Sequence, residues 1–238
     1  MGSSLFADEP IALITKSRGN AKYKISLDNK FLSNARINTP IFHGNGIKTK
    51  SKSFAQIVYL DDRSTVSAYP KTEFTINGTI ENRIIRKHVD ITMGIVKVNI
   101  LNQITSEFKL STPHSELNCH ECDFWVISDE KTGDRFYKIS GDALVTNLSM
   151  SETMALQDNT TIRSLKETEM IISKTHVTES KYLELLMFDA DEISKQSVEE
   201  LMIKKIANQS VETTSNIVEI RLKNALNIER KIILTFTK

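Results

Sequence analysis

The sequence predicts a mainly β protein that ends in a small α+β module. From about residue 11 to residue 162, short segments alternate apolar with polar residues and are rich in Val, Ile, Thr and aromatic residues. Clusters of Gly, Asn and Asp separate these segments at the spacing of a sandwich, barrel or solenoid rather than of βαβ units. Helical periodicity is found only near the C-terminus, where it predicts the second module.

The strand pattern is clearest in residues 55–60, 73–76, 95–100 and 135–139. Turn residues lie between such segments, and we expect turns at residues 61–62, 77–78, 94, 132–134 and 140–142. No helical period of useful length lies in this part of the chain. We therefore predict one β domain over residues 10–163.

The pattern changes at residues 163–169, which form a charged segment that we interpret as a linker before a second domain, 164–238. Two strand-like runs follow, at 170–177 and 182–188. A helix is predicted at about 192–207, because its apolar residues share one face and Ser197 and Glu200 have capping-box spacing. Alternating runs at 217–222 and 231–236 then predict a hairpin.

Composition excludes several classes of function. Lys and Arg number 31 and Asp and Glu number 30, so net charge attracts neither nucleic acid nor an anionic membrane. No apolar run approaches the roughly 18 residues that suggest a membrane span. The small residues from Ser3 to Ala7, followed by the acidic Asp8, read as the end of a truncated signal peptide, so we expect an exported, periplasmic protein.

Six segments of the β region follow one another in the order of a known family pattern. They comprise residues 11–21, 46–57, 62–66, 93–96, 108–113 and 139–145. The most specific of them runs from Phe108 to Pro113 and has the form F-x-V-x-T-P. In this order the segments resemble the FecR domain of bacterial envelope proteins, best known from periplasmic regulators that relay a signal from an outer-membrane receptor to a membrane-bound anti-sigma factor.

The resemblance implies a solenoid-like or stacked β domain and a function through protein contacts, without chemistry or a cofactor. The signalling members carry a transmembrane helix and a cytoplasmic segment ahead of this domain, and the sequence shows neither. We therefore expect an interaction scaffold or assembly component whose partners are other envelope proteins or further copies of itself. A FecR-type signalling regulator is the alternative.

The chain departs from the family pattern at Cys119 to Cys122, where the family has Val-Arg-Gly-Thr. The family's Gly commonly supplies a positive φ, which Glu121 would adopt only at a cost. C-x-x-C spacing fits a local disulfide, two thiols or a redox pair. A redox enzyme would place the pair at a helix N-terminus, and zinc would need more ligands than His114 or His120 can add. A sensor that responds to redox state or metal through these cysteines remains open.

No catalytic motif is present, and we predict that the protein is not an enzyme. Trp125 should point to the opposite face from the core residue Phe124, which makes Trp125 a candidate partner contact if it is exposed. The C-terminal strand, with Ile232, Leu234 and Phe236, is a second candidate. It should pair with 217–222, and its open side could accept a partner's strand.

Overall fold

The computed structural model describes residues 9–26, 28, 30–101, 107–192, 217–223 and 229–235, with side chains through residue 187. These residues form two compact units, Met1–Lys195 and Gln196–Lys238. The first contains a 15-stranded sheet and one helix, and the second contains a two-stranded sheet. The mainly β class is thus confirmed, with a small helical element.

The strands of the first unit are β1 Ala12–Arg18, β2 Ala21–Lys24, β3 Ser33–Asn34, β4 Pro40–Ile41, β5 Asn45–Thr49, β6 Phe54–Tyr59, β7 Thr65–Ala68, β8 Glu73–Glu81, β9 Ile84–Ile100, β10 Phe108–Ser111, β11 Ser115–Asp129, β12 Gly133–Asn147, β13 Thr153–Ala155, β14 Thr160–Ser164 and β15 Ile171–Lys174. Helix α1, Val177–Glu192, follows. The second unit contains β16 Ile217–Lys223 and β17 Glu229–Thr235.

Three long strands, β9, β11 and β12, each belong to two parts of the sheet. Their first halves and second halves pair with different neighbours: β9 pairs with β8 and β10 early, and with β7 and β11 late. One part therefore has the order β4-β1-β6-β7-β9-β11-β12-β14-β15. The other part joins β3, β2, β5, β8, β9, β10, β11, β12 and β13. Within the described residues the β9–β10 pairing is parallel and the others are antiparallel, so the solenoid form of the expectation is not confirmed.

The two parts of the sheet enclose the core. Inward-facing residues of β9 include Ile85, Val89 and Ile91 in its first half and Val96 and Val98 in its second. The inward set changes from odd to even numbers, as it must when an extra bulge residue is inserted between the halves. The same change of phase occurs in β11 and β12. Contacts across the core, such as that of Phe108 with Phe124 at 6.4 Å between ring centroids, join the two parts.

Some of the turns that the sequence predicts at glycine residues are confirmed, and others lie within strands. Residues 132–134 lie at the β11–β12 hairpin, as predicted. Residues 77–78 do not form a turn, because they lie within β8, and the chain turns instead at Asn82 and Arg83 with φ of 51° and 66°. Two successive positive φ angles fit the twist of a tight hairpin. Gly94 and Gly141 lie inside long strands, where these strands bend.

The predicted strand at 182–188 is wrong, since these residues belong to α1. Leu, Glu, Lys and Met are good helix formers, and the buried Leu183 and Leu186 have helical spacing. His176 begins the helix: its carbonyl accepts from the amide of Glu179 at 2.9 Å, and its ring nitrogen accepts from that of Thr178 at 3.3 Å. The run at 170–177 does contain a strand, β15.

In the second unit, β16 and β17 pair antiparallel from Ile217 opposite Thr235 to Lys223 opposite Glu229. This confirms the predicted hairpin of 217–222 with the C-terminal run. The predicted helix at about 192–207 and Phe236 lie outside the described residues. The division of domains at 163–169 stays a prediction.

Candidate functional site

The departure from the family pattern lies at a corner of β11. Residues Ser115, Leu117 and Cys119 face the core before the corner, and Cys122 and Phe124 face it afterwards. The exposed pair His120 and Glu121 lies between them. In a regular strand, residues three apart would face opposite sides. The bulge between Cys119 and Cys122 places both cysteines on the inner face.

Cys119 and Cys122 are joined by a disulfide, and each residue is only 3% exposed. The bond spans the corner between the two parts of the sheet. Cys119 lies opposite Phe108 and Ala143, whereas Cys122 lies opposite Ile100 and Gly141. The disulfide therefore fixes the position at which β11 passes from one part of the sheet to the other.

Gly141 supplies the backbone geometry that this corner needs. Its φ is +79°, and a Cβ there would lie 2.1 Å from the carbonyl oxygen of Glu121. Glu121 itself does not adopt a positive φ. The residue with positive φ at this corner is thus Gly141 on β12. Glu121 therefore does not need the positive φ that the family's Gly would supply.

The geometry does not gather metal ligands around the cysteines. His120 points outward, with its side chain 62% exposed and its Nε2 3.6 Å from Glu107. Cys119 and Cys122 face inward, so the cysteines and His120 lie on opposite faces of the strand. In the part of the chain that the structure describes, no group of three or more His, Cys, Asp or Glu residues is placed to hold a metal ion.

Trp125 is buried, with 2% exposure, so the condition under which it was a candidate partner contact is not met. Trp125 lies on the face opposite that of Phe124. Its ring packs at a tilt against that of Tyr69, with 4.8 Å between the ring centroids. On the same face, Arg135 of β12 lies 3.5 Å from Glu179 of α1. The first turn of α1 thus contacts this face through Glu179, which alternation alone could not predict.

The same helix affects Tyr137, which lies opposite Trp125 in the β11–β12 pairing. Burial, together with the nearby carboxylate of Glu179, raises the pKa of Tyr137 to about 12 against the opposing charge of Arg135. Its phenol therefore stays neutral over the physiological range.

The Thr-Pro segment forms a closed turn. The amide of Thr112 donates to the carbonyl of Ser115 at 2.9 Å, and the amide of Ser115 donates to the Thr112 hydroxyl at 2.9 Å. That hydroxyl in turn donates to the carboxylate of Asp134. Pro113 occupies the second position of the turn, where its fixed φ is favourable. The most specific piece of the resemblance therefore ties the β10–β11 turn to β12.

A second family segment, at residues 62–66, also forms a turn. Asp62 accepts hydrogen bonds from the amide and the hydroxyl of Ser64, both at 2.8 Å. Arg63 stands where the family has Gly and has a φ of +66°, a conformation that glycine favours. The Gly of the family pattern and the positive φ of Arg63 thus indicate the same turn conformation.

Sequence reasoning missed the residue that this turn holds. Lys87 lies on β9 among inward-facing apolar residues, and its side chain is fully buried. Its Nζ lies 2.7 Å from Asp61 and 3.1 Å from Asp62, which the sequence suggested were only turn residues. The available signal was a Lys at an odd-numbered, inward position between Ile85 and Val89.

The edge strand β15 and the C-terminal hairpin are the candidate surfaces for protein contacts. Strand β15 ends its part of the sheet among the described strands, and Ile171 and Ile172 on it are 61% and 39% exposed. Ile232 and Leu234 lie on β17, which pairs with β16. No described helix has the length and apolar character that a membrane crossing requires.

The chain was compared with protein families, with curated proteins and with solved structures, and only solved structures match it. No protein-family model and no curated protein matches the chain. Two crystal structures of a putative anti-sigma factor from Parabacteroides distasonis ATCC 8503 share its fold with a TM-score of 0.51. The two structures have 13% and 14% sequence identity to this chain. Each match covers 81% of this chain and 99% of the anti-sigma factor chain. The likeness shows a common fold.

Proposed function

We propose that this chain is a FecR-type envelope protein that works through protein contacts in signalling or assembly, and not through catalysis. The fold shared with a putative anti-sigma factor over nearly the whole of that protein is the observation that carries the proposal. The ordered FecR-like segments support it independently, since two of them, at Asp62 and at Thr112, form turns that fix neighbouring strands.

Export to the periplasm is part of this proposal. A disulfide between buried cysteines is typical of oxidising compartments and rare in the cytosol. Labelling of free thiols in the denatured protein, taken directly from cells, tests this: blocked cysteines are expected, and fully labelled Cys119 and Cys122 would contradict export.

Partner binding is proposed to occur by strand addition at the C-terminal hairpin. A two-stranded hairpin is only marginally stable by itself in water, so pairing with a further strand would stabilise it. β-Augmentation supplies such a strand from a partner or from a second copy of the chain. Ile232, Leu234 and Phe236 would then belong to the docking strand.

Crosslinking in the native organism, followed by affinity isolation, tests the docking site. The full chain is expected to capture an envelope protein or itself, and deletion of residues 232–238 should abolish that capture while leaving the first unit folded. The matched variant is Ile172→Lys, which places a charge on the exposed edge strand β15. Loss of capture with Ile172→Lys alone would move the docking surface to β15.

The second candidate is a redox-responsive regulator, which the disulfide at the β11 corner favours. In that case the replacement of Cys119 and Cys122 by Ser should change partner capture between reducing and oxidising conditions. Unchanged capture by the double variant would leave the disulfide a purely structural role.

A further inference from the structure

Lys87 is buried at a position where the fold calls for an apolar residue. It lies on the first half of β9 in the same inward-facing row as Ile85, Val89 and Ile91, and none of its side chain is exposed. A buried ammonium group is costly unless it is closely paired. The groups around Lys87 are therefore informative.

The surroundings of Lys87 Nζ bring together an amine and two carboxyl groups. Nζ lies 2.7 Å from Oδ2 of Asp61, 3.1 Å from Oδ2 of Asp62 and 3.2 Å from the carbonyl oxygen of Ile85. The ring of Tyr59 lies 5.3 Å from Nζ, and burial, with the two aspartates, raises its pKa well above the ordinary value. Tyr59 thus remains a neutral aromatic wall.

The two carboxyl groups differ in their hydrogen bonds. Oδ2 of Asp61 accepts from the amide of Ile85 at 2.9 Å, whereas its Oδ1 is buried without a hydrogen-bond partner. Asp62 accepts from Ser64 through both oxygens. Burial raises the pKa of Asp62, but the hydrogen bonds from Ser64 and Lys87 outweigh it and hold the pKa below its ordinary value. Asp62 therefore stays ionised and can act as a base.

We propose that Lys87 and Asp61 form an intramolecular isopeptide bond between Nζ and Cγ, with Asp62 as the proton carrier. This modification goes beyond the function proposed above and does not depend on it. It would crosslink β9 covalently to the turn that follows β6. The two ends of this bond come from different parts of the sheet.

The reaction balances without an added reagent. A proton passes from the Lys87 ammonium to Oδ2 of Asp61, the oxygen that it contacts, which leaves a neutral amine and a carboxylic acid. The Nζ lone pair attacks Cγ, and negative charge develops on Oδ1. Asp62, which also contacts Nζ, takes a proton from Nζ and gives it to the hydroxyl at Oδ2. The C–O bond to Oδ2 breaks as Oδ1 becomes the carbonyl oxygen of the amide, one water is released, and Asp62 is ionised again.

The site favours this condensation in two ways. The strands hold the amine against the carboxyl group, with Nζ 2.7 Å from Oδ2, so the reaction is intramolecular and needs no encounter in solution. The side chains of Lys87 and Asp61 are 0% and 8% exposed, so water is largely excluded and hydrolysis is disfavoured. Conversion of a buried ion pair to a neutral amide also removes its desolvation cost.

Intact-mass spectrometry of the folded, purified chain tests the proposal. The cysteines are reduced first, so that the disulfide does not alter the mass. The expected mass is that of the sequence less one water molecule. Trypsin should then fail to cut after Lys87 and should give a branched peptide that joins residues 53–63 to residues 87–97.

Variants assign the roles. Lys87→Arg keeps the charge and should have its full mass, and Asp62→Asn should strongly reduce the crosslinked fraction. Asp90→Asn, a carboxylate change elsewhere on β9, should leave the crosslink intact. A folded wild-type chain at its full sequence mass overturns the proposal, whether or not the variants fold. So does a lost water that maps to a single unbranched peptide, since that would be cyclisation at one residue.

Discussion

Single residues with unusual backbone geometry determine where the long strands bend. Gly141 has a φ of +79° and lies against the backbone of Glu121 and Cys122. Gly94, with a φ of +110°, lies equally close to the backbone of Thr72. A side chain at either glycine would overlap with backbone atoms of a neighbouring segment. The bend in each strand therefore requires glycine.

Gly141→Ala should therefore destabilise the protein. A non-glycine residue in this conformation costs about 1–3 kcal/mol, and the overlap with the Glu121 carbonyl adds to it. Urea denaturation measures the effect as a lower midpoint. Gly46→Ala is the control, because Gly46 has no positive φ and its nearest neighbour is the flexible end of Lys24. Equal losses in both variants would contradict the role of Gly141.

The disulfide should contribute modestly to stability. For a loop as short as that between Cys119 and Cys122, the chain-entropy relation gives about 2 kcal/mol. The Cys119→Ala and Cys122→Ala double variant should lose about this amount and still fold, which circular dichroism and urea titration can measure. Reduction of the wild-type protein should lower its midpoint by a similar amount. An unchanged midpoint on reduction would show that the bulge is held without the bond.

At the scale of elements, the Thr112 turn and β12 share one buried network. Asp134 is fully buried and accepts a hydrogen bond from the Thr112 hydroxyl. Thr112→Val keeps the shape but leaves Asp134 without this donor, so a loss of about 1–3 kcal/mol is expected. Thr112→Ser keeps the hydroxyl and should lose only about 0.8 kcal/mol for the missing methyl group. Urea midpoints of both variants test the turn, and equal losses would contradict it.

The charge of Asp134 predicts a pH dependence. Burial raises the pKa of Asp134 in the folded state, although the Thr112 hydrogen bond opposes the shift. Its contribution to stability is therefore complete below the unfolded-state pKa, about 3.9, and is lost as the pH rises through the folded-state value. Asp134→Asn should remove this loss, so its stability relative to wild type should increase with pH across the acidic range.

Glu116 provides a control of opposite sign. Burial raises its pKa, but the hydrogen bonds from Lys109 and Asn118 outweigh burial and lower it. Its contribution is present above the ordinary Glu pKa and is lost as the pH falls through the folded-state value. Glu116→Gln should therefore lose relative stability as the pH rises. The same pH slope in both variants would refute the assignment.

At the scale of the whole molecule, the sequence predicted what alternation and turn chemistry determine. Alternation identified the strands of the β region and the C-terminal hairpin, and the Thr112 and Asp62 segments proved to be turns. It could not show that β9, β11 and β12 each cross between two parts of one sheet, because bulge positions depend on distant neighbours.

Local sequence did not determine several features of the site. The helix α1 was read as a strand at 182–188, where a short apolar run fits either structure. Trp125 was a candidate contact only if exposed, and packing against Tyr69 contributes to its burial. The burial of Lys87 beside Asp61 was missed for a related reason, since contacts between residues 26 positions apart are set by the sheet and not by local sequence.

The boundary between folding units lies beyond the segment that the sequence suggests as a linker. The segment 163–169 reads as a linker, yet strands β14 and β15 pair across it, and Asn147 donates to the carbonyl of Leu165 at 2.8 Å. The amide of Glu167 also donates to the Ser149 hydroxyl. Such hydrogen bonds protect a segment from proteases, which need several residues of accessible, extended chain.

Limited proteolysis of the folded chain is therefore expected to cut first near the division between the two units at residues 195 and 196, leaving an N-terminal fragment that retains α1. Removal of α1 would take away the Glu179 contacts with Arg135 and Tyr137, so a fragment that ends at 163–169 should unfold at lower urea concentration than one that ends after α1. Mass spectrometry of the first fragments measures the site of cleavage. A first cut within 163–169 that leaves a fragment as stable as the whole chain would instead support a domain boundary there.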